Sequence, residues 1–136
     1  MKINKMSSEE LNNVNLHDKI IQDFHFDRLT KQLVIPILPE NEYDHNDEVH
    51  EMEFLNVLGL EITACDFWCP SPHVLSVSAL SKDEENLIPK YFENWCAPNA
   101  PFHSAKNFPG KNCFEVLVEF TSGDTLSIVC EELIIK

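Results

Sequence analysis

A chain of 136 residues with 43% apolar residues suits one domain, residues 1–136, and can bury roughly two-thirds of its unfolded surface without help from metal or disulfide. Its net charge of −13 argues against nucleic acid and anionic membranes, because both repel such a surface, and leaves room for a basic protein, a cationic ligand or plain solubility. The N-terminal MKINKMSSEE has no apolar core of a secretory signal, and no apolar run approaches the roughly 18 residues of a membrane span, so the expected location is the cytoplasm.

The first element is a short helix over Ser7–Asn13. Ser7 followed by Glu10 has the spacing of a capping box, and Leu11, Val14 and Leu16 could dock the segment on a sheet. Lys19–Asp27 reads as a strand, with Ile20, Gln22, Phe24 and Phe26 on one face. After a turn, Gln32–Leu38 is a second strand with Leu33, Ile35 and Ile37 inward. Pro36 cannot donate to a ladder, so this strand belongs at an edge or carries a bulge.

Pro39–His50 is acidic, lacks apolar periodicity and is expected to be exposed. It lies within a span, between Lys31 and Lys82, that has no Lys or Arg. Met52–Asp66 resumes extended structure, and Gly59 breaks it into two strands or marks a bulge. Trp68–His73 is a loop stiffened by two prolines, and Val74–Leu80 is a further strand. Ser81–Trp95 reads as a helix, opened by a Ser81–Glu84 capping box and kinked or split by Pro89. Cys96–Asn112, with three prolines and a glycine, is a long surface loop.

The closing stretch gives the clearest signal. Phe114, Val116, Val118 and Phe120 alternate with Glu115, Leu117 and Glu119, the period of two that a half-buried strand requires. Thr121–Asp124 supplies a turn in which Gly123 can take a positive φ. Leu126, Ile128 and Cys130 continue the alternation on the way back, and Leu133, Ile134 and Ile135 form a last apolar run. The sum is a mainly β (α+β) protein of six or seven strands. Its antiparallel sheet curls into a sandwich or half-barrel, with one short N-terminal helix and one helix near 81–95 covering an end. No βαβ rhythm is present, so a parallel nucleotide-binding sheet is not expected.

Five cysteines, an odd number, fit a reducing compartment. Cys113 and Cys130 fall in the apolar pattern and read as small buried hydrophobes. Cys65, Cys69 and His73 are spaced Cys-x3-Cys-x3-His, and with Cys96 or His103 could complete a tetrahedral zinc site. The spacing is not that of a zinc ribbon, and the favoured reading is two ordinary thiols and a surface histidine. His45 and His50 flank a carboxylate cluster, but no glycine occurs between Pro39 and Leu58, so it does not match a calcium-binding loop. No nucleophile elbow, phosphate loop or His-Glu-x-x-His helix is present, so no catalytic residue is assigned. An enzyme, metal-dependent or using a thiol, stands as the alternative to a binding role. A small-ligand-binding β-sandwich is a third reading.

Phe67, Trp68, Tyr91, Phe92, Trp95 and Phe102 crowd the middle of the chain. Most of them are expected to pack the helix on the sheet. Rimmed by acid, the exposed ones could anchor a basic partner. The candidate partner-binding residues are Glu40, Glu42, Asp44, Asp47 and Glu48 for steering, with Phe67, Trp68 and Phe102 as anchors. Ile134 and Ile135 could pair with a second chain if their strand lies at an edge; the sequence leaves the oligomeric state open.

Asn15-Leu16-His17-Asp18, the strand end Phe24-His25-Phe26-Asp27, Met52-Glu53-Phe54-Leu55-Asn56-Val57 and the final Val118–Ile128 carry a resemblance. Together they resemble a broad group of small, mostly uncharacterised bacterial β-rich proteins that begin with a Leu-His-Asp-strand signature. Some of these resemble immunity proteins encoded beside polymorphic toxins. The resemblance implies a cytoplasmic binding protein without catalytic residues, and the acidic surface suits a basic toxin. His17 and Asp18 are expected to fix the start of the strand by local hydrogen bonds.

Overall fold

A computed structural model of the protein describes residues 1–40, 49–63, 73–98 and 102–136. Nine strands among the described residues form two antiparallel sheets packed face to face, with no closed barrel. The strands are β1 (Lys2–Asn4), β2 (His25–Asp27), β3 (Gln32–Pro36), β4 (Glu51–Leu55), β5 (Gly59–Ile62), β6 (Val74–Ala79), β7 (Phe114–Phe120), β8 (Thr125–Cys130) and β9 (Glu132–Ile135). The first sheet runs β1-β9-β4-β3-β2 and the second β5-β8-β7-β6.

The closing hairpin forms as its alternation predicts. Val116 faces Ile128 and Val118 faces Leu126 across β7 and β8, and all four are buried. Gly123 takes φ +91° in the turn. The apolar faces of both sheets meet in one core that joins Leu33, Ile35, Met52, Phe54 and Leu133 to Val116, Val118 and Ile128.

Several elements differ from their sequence reading. The Met52–Asp66 stretch does break into two strands, as one of its two readings has it, but the chain turns at Asn56, φ +51°, so β4 and β5 fall in different sheets and Gly59 is the first residue of β5 rather than a bulge. Of Lys19–Asp27 only His25–Asp27 is strand. Ile20 instead makes single bridges to Leu38 and to His73, tying the end of the first sheet to the start of β6. Pro36 lies opposite Glu51 of β4, beyond the reach of β2, which ends its pairing at Val34. β3 itself lies between β4 and β2 and is not the edge strand expected; Pro36 is tolerated because the pairing with β2 stops short of it. Ile134 and Ile135 do not lie on an edge: β9 is bonded by β1 on one side and β4 on the other.

The N-terminal helix is a 3-10 helix, Lys5–Asn13. Its cap is Asn4 rather than Ser7: the Asn4 carboxamide accepts from the amides of Met6 and Ser7, and the Ser7 hydroxyl accepts from Asn4 N. Leu11 and Leu16 dock it on the core. This segment also covers the free edge of β6. Ala79 N donates to Asn12 Oδ1 at 3.0 Å, Asp18 N donates to the carbonyl of Val74, and His17 Nδ1 lies 3.1 Å from the carbonyl of Leu75. Asp18 takes φ +65° to make this approach. The Leu-His-Asp stretch is thus held by hydrogen bonds at a sheet edge.

The second helix, α1, spans Leu87–Trp95, shorter than the expected 81–95. Ser81 and Glu84 do bond each other, with Ser81 Oγ donating to Glu84 Oε1 at 2.7 Å, but they close a turn. Pro89 then falls in the first turn of α1, where a missing N–H breaks no helical bond, so it neither kinks nor splits the helix. α1 lies against the outer face of the second sheet. Leu87 packs there with Cys113 and Val129, joined by Leu58, Ile88 and Tyr91.

Candidate binding surface

The exposed end of α1 and the loop that follows form an aromatic surface. Asn107 ties the two together: its Oδ1 accepts from Trp95 Nε1 at 3.0 Å and from Ser104 N at 2.7 Å, and its Nδ2 donates to the carbonyl of Phe102. Trp95 Nε1 also lies 3.0 Å from the carbonyl of Ser104. With the indole held in this way, the His103 ring stacks on it, 3.7 Å between centroids and 8° from parallel. Phe108 meets Phe92 edge to face at 5.2 Å and Trp95 at 6.4 Å.

Two glycines let these rings approach the backbone. A Cβ on Gly110 would sit 2.6 Å from the Phe108 ring, and one on Gly59 would sit 2.5 Å from Tyr91 Oη. The result is a surface hollow of about 300 Å³ lined by Leu58, Tyr91, Trp95, His103, Phe108 and Pro109, with Asn94 at its margin. Burial, followed by the charges of Glu61 and Glu115, pushes the Tyr91 hydroxyl above its ordinary range.

Phe102 is 90% exposed, a large apolar side chain. Phe92 is 38% exposed and Trp95 half-buried. The expectation that α1's aromatics pack against the sheet therefore holds for Tyr91 alone. Phe92 and Trp95 pack against Phe108 of the loop. Phe108 and Leu58 were not singled out from sequence; the signal available for Phe108 was its place before Pro109-Gly110, a rigid turn that fixes the side chain preceding it.

The other expected site residues are placed as follows. Glu40 is exposed. Glu42, Asp44, Asp47, Glu48, Phe67, Trp68, Cys65 and Cys69 lie outside the described residues. The carbonyl of His73 accepts from Thr121 N at 3.0 Å, and its backbone pairs with Ile20. Cys96 and His103 are exposed. Among the described residues no group of three or more His, Cys, Asp or Glu could hold a metal ion. Cys113 and Cys130 are buried, as their pattern predicts.

Surface ion pairs absorb part of the basic charge. Lys136 contacts Glu53 at 2.6 Å and Glu51 at 3.6 Å, Lys2 contacts Glu132 at 3.2 Å, and Lys90 contacts Glu61 at 2.8 Å. A broader polar groove, about 700 Å³, runs between the 3-10 helix and the 79–85 turn. Glu9, Glu10, Glu84 and Glu85 line it together with Lys5 and Lys82. No helix among the described residues is long and apolar enough to cross a membrane.

No protein-family model, curated protein or solved structure matches the chain at a significant level.

Proposed function

We propose that this chain is a non-enzymatic protein-binding module. The sharpest form of that reading is a cytoplasmic immunity-type inhibitor that occludes a basic toxin or another basic partner. The observation that carries it is Phe102, 90% exposed beside the Trp95–His103 stack on a chain of net charge −13. Exposed aromatics beside a well-packed hollow are the usual energetic centre of a protein interface, and a surrounding excess of one charge sets the rate and choice of partner. The acidic span from Glu40 to Glu53 would steer the encounter, and Phe102, with Phe67 and Trp68, would anchor it. Occlusion of this kind is steric and electrostatic, and needs no catalytic group.

The test is affinity capture at low salt from the native cell lysate, with elution by a salt gradient. Three baits are compared: the wild-type chain, Phe102→Ser, and the charge-neutralised Glu40→Gln, Glu42→Gln, Asp44→Asn, Asp47→Asn, Glu48→Gln chain. The expected result is one basic protein, eluted at moderate salt, held less tightly by both variants. Association with the purified partner should be slower for the neutralised chain and less dependent on salt. Equal retention by all three baits, or retention of nothing basic by folded wild-type bait, would remove the proposal.

A further inference from the structure

We infer that the hollow lined by Tyr91, Trp95, His103 and Phe108 receives an arginine side chain of the basic partner. This inference rests on the binding role proposed above and names the chemistry of its central contact. Among the described lining residues Tyr91, Trp95 and Phe108 carry aromatic rings of the kind that attract cations, His103 adds an imidazole, and none is Lys or Arg. The faces of such rings are negative, and a cation within about 6 Å of a ring centroid is attracted to them. Arginine suits the site better than lysine, because its planar, weakly hydrated guanidinium stacks flat on a ring and loses less on leaving water.

The walls are already in place. The Trp95 indole is fixed by Ser104 and Asn107, Tyr91 is pressed against Gly59, and Phe108 lies against Gly110. Little ordering is left for binding to impose, the condition under which a small contact contributes most. Charge points the same way. The chain as a whole carries −13, and Tyr91 also feels Glu115, held at the start of α1, and Glu61, shared with Lys90 at 2.8 Å. A neutral apolar side chain would gain burial there but nothing from this field.

The test is an NMR titration of the isotope-labelled full chain with a short glycine-flanked arginine peptide. The same peptide with citrulline, neutral and nearly identical in shape, is the control. Saturable shifts are expected at the Trp95 indole N–H and at the amides of Tyr91, Asn94 and His103. The citrulline peptide should bind about tenfold more weakly, the loss of one desolvated cation–ring contact. His103→Ala, at an exposed position and with its fold checked by the unchanged amide spectrum of the β7–β8 hairpin, should also weaken the arginine peptide several-fold. Equal binding of the two peptides would overturn the inference, as would arginine-induced shifts confined to acidic residues away from the hollow.

The two proposals fail separately. If a captured basic partner is lost on Phe102→Ser but held unchanged by His103→Ala, the binding role stands and the arginine contact falls. If no partner is captured yet the arginine peptide saturates the hollow selectively, the contact chemistry stands and the protein-binding role falls.

Discussion

The carboxylate of Glu115 on β7 caps helix α1: its Oε1 accepts from Leu87 N at 2.7 Å and from Ile88 N at 2.9 Å. Asn86 N reaches both carboxylate oxygens at 3.1 Å. Asn86 stands at the cap position but makes no side-chain cap bond of its own. A strand residue 28 positions away therefore satisfies the amide groups that a helix start leaves over, and places a negative charge at the positive end of the helix dipole.

Glu115 is 1% exposed, so removing its oxygens leaves buried amide groups without acceptors. Glu115→Ala should destabilise the protein by roughly 3 kcal/mol, and Glu115→Gln, which keeps one acceptor and loses the charge, by about 1–2 kcal/mol. Denaturant midpoints of the three chains would check the order. Stabilities within error of one another would mean that α1 is held by its apolar contacts alone.

Gly59→Ala tests the close approach of Tyr91. The added methyl would meet the ring as well as the hydroxyl, with Cε2 and Cζ both 2.7 Å away. The ring must shift or the strand must give, at a cost of about 1–3 kcal/mol for an overpacked site. The Tyr91 ring resonances should move while those of the β7–β8 hairpin stay in place.

The thiols should divide sharply in reactivity. Burial, with Glu131 adding to it, pushes the Cys113 thiol up to about 11, and burial pushes Cys130 upward as well. Neither forms the reactive thiolate near neutral pH, whereas Cys96 is exposed. In a Cys65→Ser, Cys69→Ser chain, a thiol reagent should titrate Cys96 quickly and the other two only on unfolding. Labelling of Cys113 at the rate of Cys96 would contradict the packing described.

The outer face of the first sheet sets a dependence on pH. The hydrogen bond from Lys136 holds the Glu53 carboxyl below its ordinary 4.5, with Lys136's charge and Gln32 contributing. Glu53 in turn raises Lys136 above its ordinary 10.5. The stabilisation from Glu53 is complete above its unfolded value and is lost as pH falls through its lower folded value. That from Lys136 is complete below its unfolded value and is lost as pH rises through its higher folded value. Glu53→Gln should flatten the acid limb of a stability–pH profile below about pH 4.5, and added salt should shrink the difference between the two chains. An unchanged acid limb would place the acid-sensitive groups elsewhere.

Sequence pattern reached some of these features and not others. The β7–β8 hairpin was legible because Phe114–Phe120 and Leu126–Cys130 alternate without interruption around a glycine turn. β1 was not, since three residues, Lys2-Ile3-Asn4, carry no period, and their pairing with β9 is set by tertiary contact. Lys19–Phe24 has a strand's pattern, yet Ile20 is used to bridge two sheets rather than to line one. Glu115 looked like the outward half of an alternating strand; only the docking of α1 buries it. The aromatic content of the site was visible, but its geometry depends on Asn107, whose bonds to Trp95 and Ser104 arise from a loop that has no periodicity to read.

The position of β9 has a kinetic consequence. Its four residues are the seam between β1 and the β4-β3-β2 meander, so neither part can join the other until Glu132–Ile135 is available. The pairing of Ile3 with Leu133 links the two ends of the described chain, a contact of very long sequence separation. Such a topology places the protein among slow folders, on the order of milliseconds to seconds. During synthesis the edge of β4 must wait for β9, made more than seventy positions later, and in that interval the open sheet edge depends on other means, such as a chaperone, to keep it from aggregating.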